Sequence, residues 1–121
     1  MAYEQRNLRR SKVRFNDDND DNPLEFQLVI DGAKVTPTSG TITIFKPGSS
    51  TAVVTTASMT LSGSVLKYAV NTTTTANYPV DEGYRADLAI TYSGVVYKRQ
   101  LVFDVAKYLL DLNIGFDQLV A

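Results

Sequence analysis

The sequence contains no cysteine, no histidine and no tryptophan among its 121 residues. Without cysteine there can be no disulfide framework and no thiolate nucleophile. Ser-His-Asp and Cys-His mechanisms each need a residue that is missing, and the common zinc sites draw their ligands from the same two residue types. The sequence therefore excludes the usual forms of triad and zinc catalysis.

The glycine motifs that bind phosphates and dinucleotides are also missing, because neither G-x-x-x-x-G-K-[ST] nor G-x-G-x-x-G occurs in the chain. Paired carboxylates remain as acid–base candidates, either Asp81 with Glu82 or Asp87 with Asp104. Glycoside hydrolysis needs two carboxyl groups that face each other across a cleft, whereas acids beside a glycine commonly decorate turns. We therefore predict that the chain is not an enzyme and needs no cofactor.

Long apolar runs are missing too. No segment approaches the length of a membrane span, and the first ten residues lack the apolar stretch of a signal peptide. We predict a protein without membrane contact that is made in a cytoplasm and can later leave it as part of a particle.

The net charge of −1 hides a local separation of charge. Residues 6–14 carry five basic side chains and no acid, and residues 16–22 read NDDNDDN. Apolar Leu8, Val13 and Phe15 lie in or beside the basic block, which a purely solvating tail would not need. The block is predicted to contact a protein partner, or the acidic run of another copy. Contact with DNA phosphates and a solvated tail remain as alternatives.

The acidic run resembles a calcium loop only at its start. An EF-hand that began at Asp18 would need glycine at its sixth position and glutamate at its twelfth, and the chain has Pro23 and Val29 there. An EF-hand is excluded, and weak calcium binding at Asp17–Asp21 stays open beside a solvated acidic linker.

The clearest structural signal is a β-hairpin from Tyr84 to Val105. Apolar and polar residues alternate along both halves, which predicts strands with one buried face. Ser93-Gly94 predicts a two-residue turn, because such turns need residues that accept a positive φ. This register puts Arg99 opposite Leu88 on the apolar face, where a charge needs a partner unless that face runs past the edge of the core.

Shorter strands with turns between them are predicted near 24–30, 41–46, 52–56, 58–61 and 65–70. Six or seven strands at about ten-residue spacing favour an all-β sandwich. We predict an extended charged arm over 1–22, a β-sandwich over 23–105 and a short helical or irregular apolar tail over 106–121. The tail either folds back on the sandwich or docks on a neighbouring subunit.

The stretch from Tyr78 to Asp104, YPVDEGYRADLAITYSGVVYKRQLVFD, resembles immunoglobulin-like modules in structural proteins of tailed bacteriophages. The segment GTITIFKPGSSTAVVT is similar to the paired strands around a Pro-Gly turn in these modules. The segment FDVAKYLLDLNIGFDQLVA resembles the helical exit of some virion proteins encoded near portal and neck components. The resemblance covers about 85 residues and implies an immunoglobulin-like antiparallel β-sandwich.

The resemblance further implies a virion structural protein. The expected role is a ring-forming adaptor at the head–tail junction that binds portal, neck or capsid protein and forms a homo-oligomeric ring or lattice. Capsid decoration is the first alternative. The residues predicted to bind a partner lie in the two chain ends: Arg6, Arg9, Arg10, Lys12, Arg14, Phe15, Leu109, Leu112, Phe116 and Leu119.

A carbohydrate-binding or adhesive module is the second alternative, and it would expose aromatic side chains along one rim. The candidates are Tyr78, Tyr92 and Tyr97, but the alternation in the hairpin places Tyr92 and Tyr97 inward.

Overall fold

The computed structural model describes residues 4–5, 11–17, 23–107 and 116–120. Over these residues the chain is all-β and contains no helix, so the predicted fold class is confirmed at this level. The strands are β1 Glu4–Gln5, β2 Ser11–Arg14, β3 Leu24–Ile30, β4 Ala33–Lys34, β5 Ser39–Phe45, β6 Ala52–Ser58, β7 Thr60–Ser62, β8 Val65–Tyr68, β9 Asp81–Tyr92, β10 Val95–Ala106 and β11 Phe116–Val120.

The strands form two sheets. The first sheet has the order β1-β11-β3-β8-β7, with β4 paired to β3, and the second has the order β2-β10-β9-β5-β6. Two pairings, β2 with β10 and β11 with β3, are parallel, and the other described pairings are antiparallel. This arrangement is consistent with a β-sandwich.

The hairpin of β9 and β10 is confirmed residue by residue. Val95 pairs with Tyr92 and Arg99 pairs with Leu88, as the sequence predicts. Ser93 and Gly94 have φ values of 51° and 76°, the two positive values that a type I′ turn requires. Each strand is 12 residues long, so this hairpin supplies the two longest strands of the second sheet.

The core lies between the two sheets. Burial alternates along β5 and β9, as expected for strands with one face on a core and one face toward solvent. The largest fully buried side chains come from both sheets: Tyr84, Phe26, Phe103, Leu24, Leu28, Ile42, Ile44, Leu66, Ile90, Leu101 and Val13. These side chains belong to one hydrophobic cluster, to which both sheets contribute.

Gly40 marks a close approach between the two sheets. A Cβ atom built on this residue would lie 2.7 Å from Leu66 Cδ1 and 2.7 Å from Met59 Cε. The Met59 backbone N–H also donates to the Gly40 carbonyl at 2.9 Å. Glycine at the start of β5 therefore leaves the space that Leu66 and Met59 fill.

Part of the predicted N-terminal arm belongs to the folded body. β2 pairs in parallel with Phe103–Ala106 at the edge of the second sheet, and Val13 is fully buried in the core. The sequence pattern predicts a body that begins at Pro23, because the charges around Val13 hide a single inward-facing residue.

The described part of the C-terminal tail is a strand rather than a helix. Phe116–Val120 forms β11, which pairs in parallel with Glu25–Val29 of β3. Val105, just before the predicted tail, is a buried residue of β10. A helical tail is not confirmed for Phe116–Val120, because the apolar residues of this segment fit a helical stripe and a strand equally well. Leu109 and Leu112 lie outside the described residues.

Candidate interaction surfaces

The residues predicted to bind a partner lie, where they are described, on or beside two strands, one in each sheet. Lys12 and Arg14 lie on β2 and are half-buried, and Phe116 and Leu119 lie on β11. Five further predicted residues lie outside the described part of the chain: Arg6, Arg9, Arg10, Leu109 and Leu112. The described members of the two predicted ends thus lie on different sheets, on the edge strand β2 and on β11, which lies between β1 and β3.

Phe15, one of the residues predicted to bind a partner, is partly buried and packs against the protein's own core. It follows β2 directly, and its backbone N–H donates to the Ala106 carbonyl at 2.9 Å. The bond continues the parallel ladder of β2 and β10 by one residue. Phe15 therefore holds the arm on the sheet.

Thr72 fastens the end of the arm. Its hydroxyl lies within hydrogen-bond distance of the Arg14 and Asp17 carbonyls and donates its one proton to either of them, and it accepts a bond from the Asp17 backbone N–H at 2.9 Å. The Thr72 backbone N–H also donates to the Asp17 carbonyl at 2.7 Å. Thr72 has no exposed surface, so one buried side chain satisfies the backbone where β2 ends.

The acidic run is described only at its first members. Asp17 lies 3.6 Å from Arg14, and Asp18–Asp21 lie outside the described residues. Among residues with a described position, no group of three acidic side chains could hold a metal ion. The same part of the chain has no helix long and apolar enough to cross a bilayer.

The tip of the β9–β10 hairpin exposes apolar side chains. Val95 and Val96 are 51% and 53% exposed, on successive residues that point to opposite faces. Among the described strands, β10 has a neighbour on its outer side only from Phe103 to Ala106, where β2 pairs with it. The tip therefore combines exposed valines with an outer strand edge that no described strand covers over 95–102.

Arg99 lies on the core side of this free edge. Its Nη1 donates to the Lys98 carbonyl at 2.7 Å, and its guanidinium is 5.7 Å from the centre of the Tyr97 ring. Its Nε is buried without a hydrogen-bond partner. The apolar face of β10 thus ends at Arg99, whose guanidinium lies near the Tyr97 ring and donates to the Lys98 carbonyl.

A pocket lies on the outer face of the second sheet. It has a volume of about 440 Å³ and is formed between the turn that joins β5 to β6 and the neighbouring ends of β9 and β10. Its lining residues are Phe45, Lys46, Gly48, Ser49, Ser50, Gly83, Arg85, Gln100 and Val102.

Arg85 is the central charged residue of this pocket. Its guanidinium lies 4.0 Å from the centre of the Phe45 ring, a cation–π stack. Its Nε lies 3.1 Å from Asp87 Oδ1 but is not directed at it, so the two groups attract by charge without a hydrogen bond. Gln100 donates its amide to the same Asp87 oxygen at 3.0 Å.

The tyrosines with a described position belong to the core or pack against it. Tyr78 and Tyr84 are buried with rings 6.0 Å apart, and the Tyr84 hydroxyl donates to the Pro79 carbonyl. Burial raises the pKa of both phenols to about 12, helped by Tyr68 and Tyr84 for Tyr78 and by Asp81 for Tyr84. Tyr92 and Tyr97 pack against the core, as the alternation predicts.

The fastening role of Thr72 and the pocket around Arg85 were not predicted from the sequence. Thr72 is one of four successive threonines, so nothing in the sequence separates it from its exposed neighbours. The pocket depends on a register that brings Phe45 beside Arg85, and this register is visible only in the paired strands.

No family model, no curated protein and no solved structure matches this chain.

Proposed function

We propose that the sandwich is an immunoglobulin-like module. In that arrangement one sheet carries strands A, B, E and D, and the other carries C, F and G, with C′ added in variable-type domains. Here β3, β8 and β7 are neighbours in the order B, E, D, and β6, β5, β9 and β10 follow the order C′, C, F, G. The order of the strands supports the resemblance of the sequence to immunoglobulin-like modules.

Tyr84 provides a second, independent support. Immunoglobulin-like domains have a tyrosine near the start of strand F whose hydroxyl bonds to the backbone a few residues upstream. Tyr84 is the fourth residue of β9, the strand in the F position, and its hydroxyl donates to the carbonyl five residues upstream, at Pro79. The chain departs from the pattern at β11, which runs parallel to β3 where a first strand A would be antiparallel.

The proposed function is structural: a component of a tailed-phage virion, with a ring-forming adaptor at the head–tail junction as the preferred place. The exposed hairpin tip is the observation that carries an assembly role. Two exposed valines beside an uncovered strand edge are the kind of surface that proteins otherwise protect, because it pairs readily with another chain. The assignment to phages comes from the resemblance of residues 78–104.

Self-association of the purified chain tests the assembly role. We expect light scattering coupled to gel filtration to detect an oligomer of defined stoichiometry in the parent protein. Replacing both tip residues, as Val95→Lys/Val96→Lys, should return a monomer, because two charges at a buried contact cannot be desolvated cheaply. Val80→Lys is the matched control, since Val80 is 51% exposed and lies away from the tip.

A parent protein that stays monomeric up to millimolar concentration would contradict the assembly role, and so would an oligomer that ignores the tip substitutions. Truncation of residues 1–22 is unsuitable as a test, because it would remove Val13 from the core. The virion assignment has its own test in the genes beside this one. Portal, neck or tail genes are expected there, and a set of metabolic genes would contradict it.

A further inference from the structure

The pocket around Arg85 has the composition of an anion site. Arg85 and Lys46 both line it, together with the hydroxyl-bearing Ser49 and Ser50. The neighbouring carboxylate, Asp87, already faces Arg85 and Gln100. The pocket is thus lined by two cations, Lys46 and Arg85. The carboxylate beside it, Asp87, already has partners.

The geometry of Arg85 favours a planar anionic group. A guanidinium presents its donors as a flat fork that matches both oxygens of a carboxylate. Stacking on the Phe45 ring fixes the plane of this fork, so less side-chain entropy is lost when a ligand binds. The side chain remains 41% exposed, so its outer edge is open to a ligand that enters from solvent.

We propose that this pocket binds an aspartate-rich peptide segment, and that the segment is the acidic run 16–22 of a second copy of the chain. The inference rests on the proposed assembly function and names one of its contacts. The run carries four carboxylates in seven residues and is the densest negative charge of the sequence. Complementary charge between a cationic pocket and this run would fix the register of neighbouring subunits.

The reach of the chain argues for a second copy over the same molecule. Asp17 is held on Thr72 at the end of β2, and Pro23 precedes β3 in the other sheet. Five residues connect them, and six steps between Cα atoms span at most about 20 Å when fully extended. The pocket lies on the face of β9 that points away from the other sheet, because its neighbours Tyr84 and Ala86 are buried.

A nuclear magnetic resonance titration tests the site directly. The probe is a synthetic peptide with the sequence of residues 15–23, FNDDNDDNP, and the control peptide has asparagine in place of each aspartate. We expect the acidic peptide to shift the backbone amides of Gly48 and Gly83, which line the pocket, and the control peptide to leave them unchanged. Raising the salt concentration should weaken the binding, since exposed charges are screened.

Variants of the full chain assign the binding to the pocket. Arg85→Lys keeps the charge but loses the planar fork and the ring stack, so the affinity for the peptide should fall about tenfold. Lys46→Gln should lower it about two- to fivefold. Lys34→Gln is the matched control, because it removes one exposed lysine from β4 on the other sheet and should change nothing.

The same experiments can overturn the proposal. Peptide shifts that persist in Arg85→Lys, or that fall on residues away from the pocket, would reject the site. Equal binding of inorganic phosphate or a short DNA duplex would reject the acidic segment as its specific ligand. If Arg85→Lys leaves self-association intact while Val95→Lys/Val96→Lys abolishes it, this inference fails and the proposed function stands.

Discussion

At the scale of single residues, buried polar groups decide how the chain is fastened together. Thr72, Gln27 and Asp104 are the buried polar or charged side chains with a described position. The Gln27 amide donates to the Leu28 and Val35 carbonyls, and its oxygen accepts from the Ser64 hydroxyl at 2.8 Å. Each such group joins segments that are distant in sequence, so it adds specificity to a core that is otherwise apolar.

Thr72→Val tests the fastening of the arm. Valine keeps the shape but removes the hydroxyl, leaving the Asp17 N–H without the acceptor that Thr72 provides. The free energy of unfolding should fall by about 1–3 kcal/mol, the cost of unsatisfied buried groups. Urea unfolding followed by circular dichroism measures it. Thr75→Val, at an exposed neighbour, should stay within about 0.5 kcal/mol of the parent, and an equal loss in both variants would refute the assignment.

At the scale of elements, β2 joins a segment that looks like a tail to the sheet. Its register pairs Val13 with Val105, so one apolar residue among charges enters the core beside β10. The parallel ladder continues through the Phe15 N–H. We therefore expect β2 to contribute to the free energy of unfolding of the body.

Val13→Ala measures how much β2 contributes. Removing two buried methyl groups should lower the free energy of unfolding by about 1.5–2.5 kcal/mol, from lost burial and the cavity left behind. Val80→Ala, at an exposed position, should change it by less than about 0.5 kcal/mol. Urea unfolding of the three proteins decides the matter, and an unchanged Val13→Ala midpoint would mean that β2 is not held in solution.

The long hairpin could be predicted from sequence because its information is local. Period-two alternation and the Ser93-Gly94 turn fixed the register before any other strand was considered. β2 and β11 could not be predicted in the same way, because each is a short strand that pairs in parallel with a distant partner. The pocket could not be predicted either, since Phe45 and Arg85 meet only through the pairing of β5 and β9.

At the scale of the whole molecule, two sheets enclose one core that carries buried phenols. Tyr84 stacks between Tyr78 and Phe103, with ring centres 6.0 Å and 5.3 Å away. Burial disfavours the phenolate form of Tyr78 and Tyr84 and raises the pKa of each to about 12. The stability of the whole fold is therefore linked to their protonation.

Alkaline pH should destabilise the protein before these phenols ionise in the folded state. Between about pH 10, where exposed tyrosines ionise in the unfolded chain, and about pH 12, the folded state binds more protons. The free energy of unfolding should fall across this window, by up to about 1.4 kcal/mol per pH unit for each phenol. Tyr78→Phe should make the fall shallower in urea unfolding at pH 8, 10, 11 and 12. Parallel curves for variant and parent would contradict this linkage.

The missing side chain at Gly40 ties together three positions that are far apart in the chain. An alanine there would lie 2.7 Å from the ends of the Leu66 and Met59 side chains, so both flexible side chains would have to shift to make room for it. A natural homologue with a larger residue at 40 is accordingly expected to carry smaller residues at 59 and 66. Changes in the spacing of the two layers at this point should thus involve coordinated replacements at all three positions.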